Sequence, residues 1–131
     1  MIVQSDIVDI LYLKCQQFGL PVYRKGNIPE SANTQERIVI IPKRGTTETY
    51  WSKSYVEVNV CVPDINEGVA ELKRLAELEK AAKRALNESG IYDNTRYEYT
   101  VDSTGIEEDA GLKCHFANIR VLFKVLNVKS N

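Results

Sequence analysis

Hydrophobic and polar residues alternate most clearly over residues 54–62, where Val56, Val58, Val60 and Val62 stand between Tyr55, Glu57, Asn59 and Cys61. A period of two puts the valines on one face of a strand and a mostly polar set on the other. Branched valine suits a pleated surface, and Pro63, with no amide donor, ends the run. This segment reads as the central strand of a sheet with one core face. Residues 37–41 predict a second strand, closed by Pro42. Gly45 and its neighbours turn the chain so that 37–41 and 50–62 form a long hairpin, with a bulge expected near 52–54. Val22 and Tyr23 predict a short edge strand, and residues 31–36 a polar loop.

Two stretches carry the helical period instead. Ile7, Leu11, Cys15 and Phe18 line one face of a helix that Ser5 or Asp6 caps, with Ile10 and Leu13 on another face. Gly19 and Pro21 stop it. A longer helix is expected from Asp64 or Asn66 to Asn87 or Glu88, ended by Gly90. Its stripe is Leu72, Leu75, Ala82 and Leu86, with Val69 and Ala76 at one shoulder. Glu79 interrupts that stripe, and Lys83 stands four residues on, in reach of an ion pair. A buried carboxylate is costly, so Glu79 is placed at a rim or beside another chain.

After this helix, Tyr97, Tyr99 and Val101 alternate against Arg96, Glu98 and Thr100. A glycine-flanked acidic loop is expected over 103–111, then a last extended region over 112–127. The order α-β-β-β-α-β-β predicts an α/β (α+β) domain with a mixed, mainly antiparallel sheet of four or five strands. At 131 residues the chain is sized for one domain.

Charge adds little. The first 65 residues carry seven basic and seven acidic groups, the rest ten and eleven, for a net charge of -1. That balance gives no reason to expect a membrane partner or sequence-specific nucleic-acid binding. Cys15, Cys61 and Cys114 lack metal-ligand spacing and read as free thiols of a reducing compartment. His115 is the single histidine, and Cys114 beside it points to the opposite side of a strand, which suits neither a shared metal nor a Cys–His nucleophile. Asp64, Glu67 and Glu71 are read as helix-start charges, and Glu107, Glu108 and Asp109 as a solvated run without the spaced oxygens of a calcium loop. Arg24, Lys25, Lys43 and Arg44, with Tyr23, Tyr50 and Trp51 nearby in sequence, form a basic, aromatic set without a phosphate-loop motif.

Several local phrases carry a family resemblance. They are Val22-Tyr23-Arg24 leading to Ile28-Pro29-Glu30, Glu36-Arg37-Ile38-Val39-Ile40, and the run from Tyr55 through Val62-Pro63-Asp64 before a long helix. With the N-terminal helix and the two later strands, they make the chain similar over nearly its whole length to the small tail-terminator, or tail-completion, proteins of long-tailed bacteriophages and prophages. The resemblance implies a homo-oligomeric ring, often hexameric, that stops tail-tube growth and joins tail to head. Its partners are then the tail-tube protein and a head-completion protein. Its place is the bacterial cytoplasm during assembly and afterwards the virion head–tail junction. No catalytic residue, cofactor or metal is implied. The interface candidates are Ile10, Leu13, Tyr50, Trp51, Tyr55, Glu79 and Lys83; the docking-rim candidates are Arg24, Lys25, Lys43 and Arg44. Two other classes stand beside this one: a small host module binding peptide or nucleic acid through the basic aromatic surface, and an enzyme using His115 with a carboxylate.

Overall fold

The computed structural model describes residues 1–47 and 50–126. Helix α1 (Gln4–Cys15) is followed by strands β1 (Val22–Arg24), β2 (Arg37–Pro42), β3 (Thr46–Thr47) and β4 (Trp51–Pro63). Helix α2 (Leu72–Ala85) then leads to β5 (Glu88–Tyr92), β6 (Thr95–Asp109) and β7 (Cys114–Leu126). One sheet runs β1-β2-β4-β7-β6-β5, with β3 paired to β4. Among the described residues only β1 and β2 are parallel, and every other pairing is antiparallel. The expected class is therefore the observed one and the order roughly so, with the short strands β3 and β5 added to the five expected, making a sheet of seven among the described residues.

The valine strand is the centre. β4 pairs with β7 along its whole length, Trp51 opposite Leu126 through Pro63 opposite Cys114. Val56, Val58 and Val60 face Val121, Ile119 and Ala117 across the ladder, and all six are buried. Ile38 and Ile40 of β2 extend this face on one side, and Tyr99 of β6 on the other. Both helices lie on it: Ile7, Val8, Leu11 and Cys15 from α1, and Leu75, Leu78 and Ala82 from α2, join the same core. Tyr97, Tyr99 and Phe123 stack in one row beneath, with ring centroids 5.3 to 6.3 Å apart. No described helix is long and apolar enough to cross a membrane.

Several boundaries differ from the sequence reading. α1 starts earlier, with Val3 at its N-cap; Asp6 lies inside the helix and accepts from the Val3 amide at 2.9 Å. The expected loop at 31–36 is mostly a 3-10 turn, Glu30–Thr34. The bulge sits in β6 between Val101 and Ser103, and the β4–β7 register is unbroken through 52–54. α2 begins at Leu72, not at 64 or 66, because Asp64 is engaged with His115 at 2.6 Å and Ile65–Val69 closes a small turn with two backbone hydrogen bonds. Leu72 is consequently exposed at the first turn, and Leu78 takes the place in the stripe assigned to it. α2 ends at Ala85, and Gly90 is a strand residue opposite Tyr97, where an added Cβ would meet the Tyr97 ring. Finally, 103–109 is strand, because β7 supplies a partner to each residue as far as Asp109 opposite Cys114. Asn127, the expected end of the last strand, lies outside the described residues.

Replacing Ile119, fully buried in the core, by alanine removes three carbons from a packed site. Ile119→Ala is expected to cost about 3 kcal/mol, roughly 10 °C in Tm. Leu72→Ala, at a position that periodicity alone puts in the core, is expected to change stability by no more than about 0.5 kcal/mol. Thermal melts of the two variants check this.

Candidate assembly surface

Strand direction gathers the basic candidates. β1 and β2 run parallel and β4 returns against them, so Arg24-Lys25, Lys43-Arg44 and Tyr50-Trp51 all reach one end of the sheet. Two of the four cations are engaged within the chain. Arg24 donates to Asp9 at 2.9 Å and lies 4.1 Å over the Tyr12 ring; Lys43 stands 3.5 Å from Glu57. Lys25 and Arg44 are exposed. Gly45 holds this corner tightly, since a Cβ there would run into the Lys53 carbonyl and the Ser54 side chain. Tyr50 is 66% exposed, the largest aromatic surface on this end.

The alternation of β4 places Trp51, Tyr55, Glu57, Asn59 and Cys61 on the face away from both helices. Trp51 and Tyr55 are half-buried, and the Arg120 guanidinium lies 3.9 Å over the Tyr55 ring. The 3-10 turn reaches one margin of this face through Arg37. The remaining candidates lie on the helical layer. Ile10 is half-buried against the core, whereas Leu13 is 70% exposed. Glu79 is half-buried and Lys83 exposed, and no ion pair among the described residues joins them. The charged tie of α2 is Arg74, which sequence reasoning passed over. Its Nε and NH2 groups donate to the two Glu36 oxygens at 2.8 Å each, a bidentate clasp fastening α2 to the chain before β2. That clasp holds the Glu36 carboxyl below its ordinary range. Glu88 is lowered likewise, first by the Lys14 ammonium at 2.8 Å and then by the Tyr99 hydroxyl at 2.9 Å.

The other end of the sheet carries a different chemistry. His115 faces the core side opposite Val62, and Cys114 the helix-free side, as alternation predicts. His115 Nδ1 lies 2.6 Å from Asp64, and its Nε2 3.4 Å from Glu108. Asp64 is thus a strand-end latch and not a helix cap, and the acidic run is split, Glu108 on one face and Glu107 and Asp109 on the other. Among the described residues no group of three or more His, Cys, Asp or Glu side chains is arranged to hold a metal ion. On the helix-free face, Arg37 of β2 stands opposite Cys61 of β4, and Cys114 lies diagonally beyond. Arg37 is 2% exposed and donates to the Ala32 and Gln35 carbonyls at 3.1 and 3.0 Å. The Cys114 thiol is held below its ordinary value, chiefly by its neighbour Cys61 and further by Arg37, against the effect of burial, while the Cys61 thiol, which donates to the Asn59 carbonyl at 3.9 Å, is pushed up. Cys15, buried in the core, is pushed up to about 12. This cluster was hidden in the sequence because Arg37, Cys61 and Cys114 are widely separated; only the two strand registers bring them together.

No family model and no curated protein matches the chain. Among solved structures, one chain whose name carries no functional description is similar to it with a TM-score of 0.57 and 16% identity, covering 100% of each chain. At that identity the likeness concerns the fold.

Glu36 and Glu88 are both lowered in the folded chain, so the unfolded chain binds their protons more readily. Their contribution is full above the ordinary carboxylate range, about pH 4.3, and is lost as pH falls through the lower folded values. Melts between pH 3 and 7 are expected to show Arg74→Ala costing about 1 kcal/mol at neutral pH and less at pH 3. An equal loss at both pH values would mean that Arg74 acts through packing alone.

Proposed function

We propose that this chain is a non-enzymatic tail terminator, a structural protein that closes the tail tube of a long-tailed phage or prophage as a homo-oligomeric ring and joins it to the head. The observation that carries the reading is a seven-stranded sheet with both helices on one face, whose other face carries half-buried Trp51, Tyr55 and Glu57 and whose basic, aromatic end carries exposed Lys25, Arg44 and Tyr50. Large apolar side chains stand exposed around it: Leu13 at 70%, Tyr50 at 66% and Ile91 at 60%. The two ends of the sheet are chemically unlike. Lys25, Arg44 and Tyr50 mark one, and Glu107, Glu108 and Asp109 the other. Unlike surfaces suit a head-to-tail contact, which closes into a ring when the rotation permits. In this reading six copies form the ring, Tyr50, Trp51, Tyr55 and Leu13 pack between subunits, and Lys25 and Arg44 lead the rim that meets tail-tube and head-completion proteins. The work is shape-selective binding, carried out in the bacterial cytoplasm and retained at the virion head–tail junction.

The rival reading, a host module for peptide or nucleic acid, rests on the same basic end. Arg24 and Lys43 already have carboxylate partners there, which leaves a small charge for gripping a phosphate backbone.

Native mass measurement separates the two. A six-membered ring of the 14.9 kDa chain weighs about 89 kDa. Tyr50→Ala is expected to weaken association at least tenfold, with Tm of the dissociated chain unchanged. A monomer at every concentration, also with tail-tube protein present, contradicts the ring. Salt-sensitive nucleic-acid binding that disappears on changing Lys25 and Arg44 to alanine would favour the host module.

A further inference from the structure

We propose that a second copy of this chain binds by strand addition: residues 103–107 of β6 enter the groove along the outer edge of β1 in the neighbouring subunit and pair with it antiparallel. This contact rests on the homo-oligomeric reading and specifies which surfaces of the two copies meet. Two edges of the sheet are incomplete. β5 covers β6 only from Thr95 to Tyr99, and the Val101 amide then donates to Asn87 Oδ1 at 3.2 Å. Beyond that point β6 runs on to Asp109 with β7 on one side and no strand on the other among the described residues. At the opposite margin β1 pairs with β2 alone. A groove of about 510 Å³ lies along β1, lined by Val22, Tyr23 and Arg24 with Tyr12 and the turn at residues 26–29. Unpaired strand edges are templates for a further strand.

The strand registers make the two edges complementary. Followed across the sheet, Val22 lies level with Ile106, Tyr23 with Gly105 and Arg24 with Thr104. β1 is parallel to β2, and β2, β4, β7 and β6 alternate in sense, so β6 runs antiparallel to β1. A rotation about an axis along the strands preserves both level and sense. It therefore brings the β6 edge of one copy against the β1 edge of the next as an antiparallel pair. β5 does not stand in the way. It sits beside β6 at the level of Thr46 and Thr47, whereas β1 lies lower and the chain leaves it through Gly26, at a φ of +85°. The neighbour's β1 takes the vacant place in the same column as β5. Side chains agree with this arrangement. Ile106, 40% exposed on the helix side, meets Val22 and Tyr12 of the neighbouring copy. Exposed Lys25 comes level with Ser103, next to exposed Asp102. Pairing β6 with another β6 about Gly105 would instead set Asp102 against Glu108, and like charges directly opposite are destabilising.

The test places one cysteine on each edge of the full-length chain. Paired Cα atoms of an antiparallel ladder stand about 4.5 to 5.5 Å apart, within reach of a disulfide. Tyr23→Cys with Gly105→Cys is the pair, since a Cβ at Gly105 meets nothing within 4 Å and the native Cys15, Cys61 and Cys114 are buried. On mild oxidation the double variant is expected to give a covalent ladder extending beyond dimer on a non-reducing gel, collapsed by reductant. Each single variant alone is expected to stay monomeric on that gel, and the two co-expressed to give dimer and nothing larger. Should a variant fail to fold, hydrogen exchange of the unaltered chain decides: amides over 103–107 are expected to slow roughly tenfold or more on assembly. Linking by Gly105→Cys alone, or an assembled particle with neither ladder nor slowed exchange, overturns the edge pairing and leaves the ring standing. A monomer at every concentration overturns both.

Discussion

The pairing of β4 with β7 is the constraint on which the rest depends. Thirteen residues of each strand meet without a break, and the valines of one lie against Ile119, Val121 and Ala117 of the other. A slip of one residue would carry every one of these side chains to the opposite face and expose the core. The register is therefore fixed by burial, and it fixes much else. It places the buried row on which α1 and α2 both rest. It sets His115 beside Asp64 at one face and Cys114 near Cys61 and Arg37 at the other.

Much of this was legible in residue order, where the signal is local. Alternation in β4 and β7, the period of α1, and the roles of Pro42, Pro63 and Gly19 all depend on near neighbours, and all appear where expected. What eluded sequence reasoning is non-local. Residues 64–71 are compatible with a helix, but His115 and the turn at Ile65–Val69 hold them out of it. Gly90 resembles a helix stop, yet it sits in an edge strand where Tyr97 crosses close above it. Gly105 and the acidic run resemble a loop, yet β7 offers each of them a ladder partner. In all three cases contacts with a strand, near or distant in sequence, outweigh a weak local preference.

The candidate surface divides in the same way. Tyr50, Leu13, Lys25 and Arg44 are exposed, as residues that meet a partner must be. Arg24, Lys43 and Tyr55 are each tied to a neighbour within the chain, and Ile10 is partly absorbed by the core. Such ties do not remove a residue from an interface, but they orient it in advance and lower the entropy lost on docking. Internal contacts of this kind cross the helix-free face: Arg120 lies on Tyr55, Asn118 donates to Asn59 at 2.8 Å, and Arg37 grips the 3-10 turn. A surface held in one shape by internal contacts is suited to recognising another shape.

The proposed role as a tail terminator can be tested directly. Under that proposal, a cognate tail-tube protein polymerising alone gives tubes of uncontrolled length, and with the chain added electron microscopy is expected to show shortened tubes carrying extra density at one end only. Tubes of unchanged length with no bound density would contradict the assignment as a tail terminator.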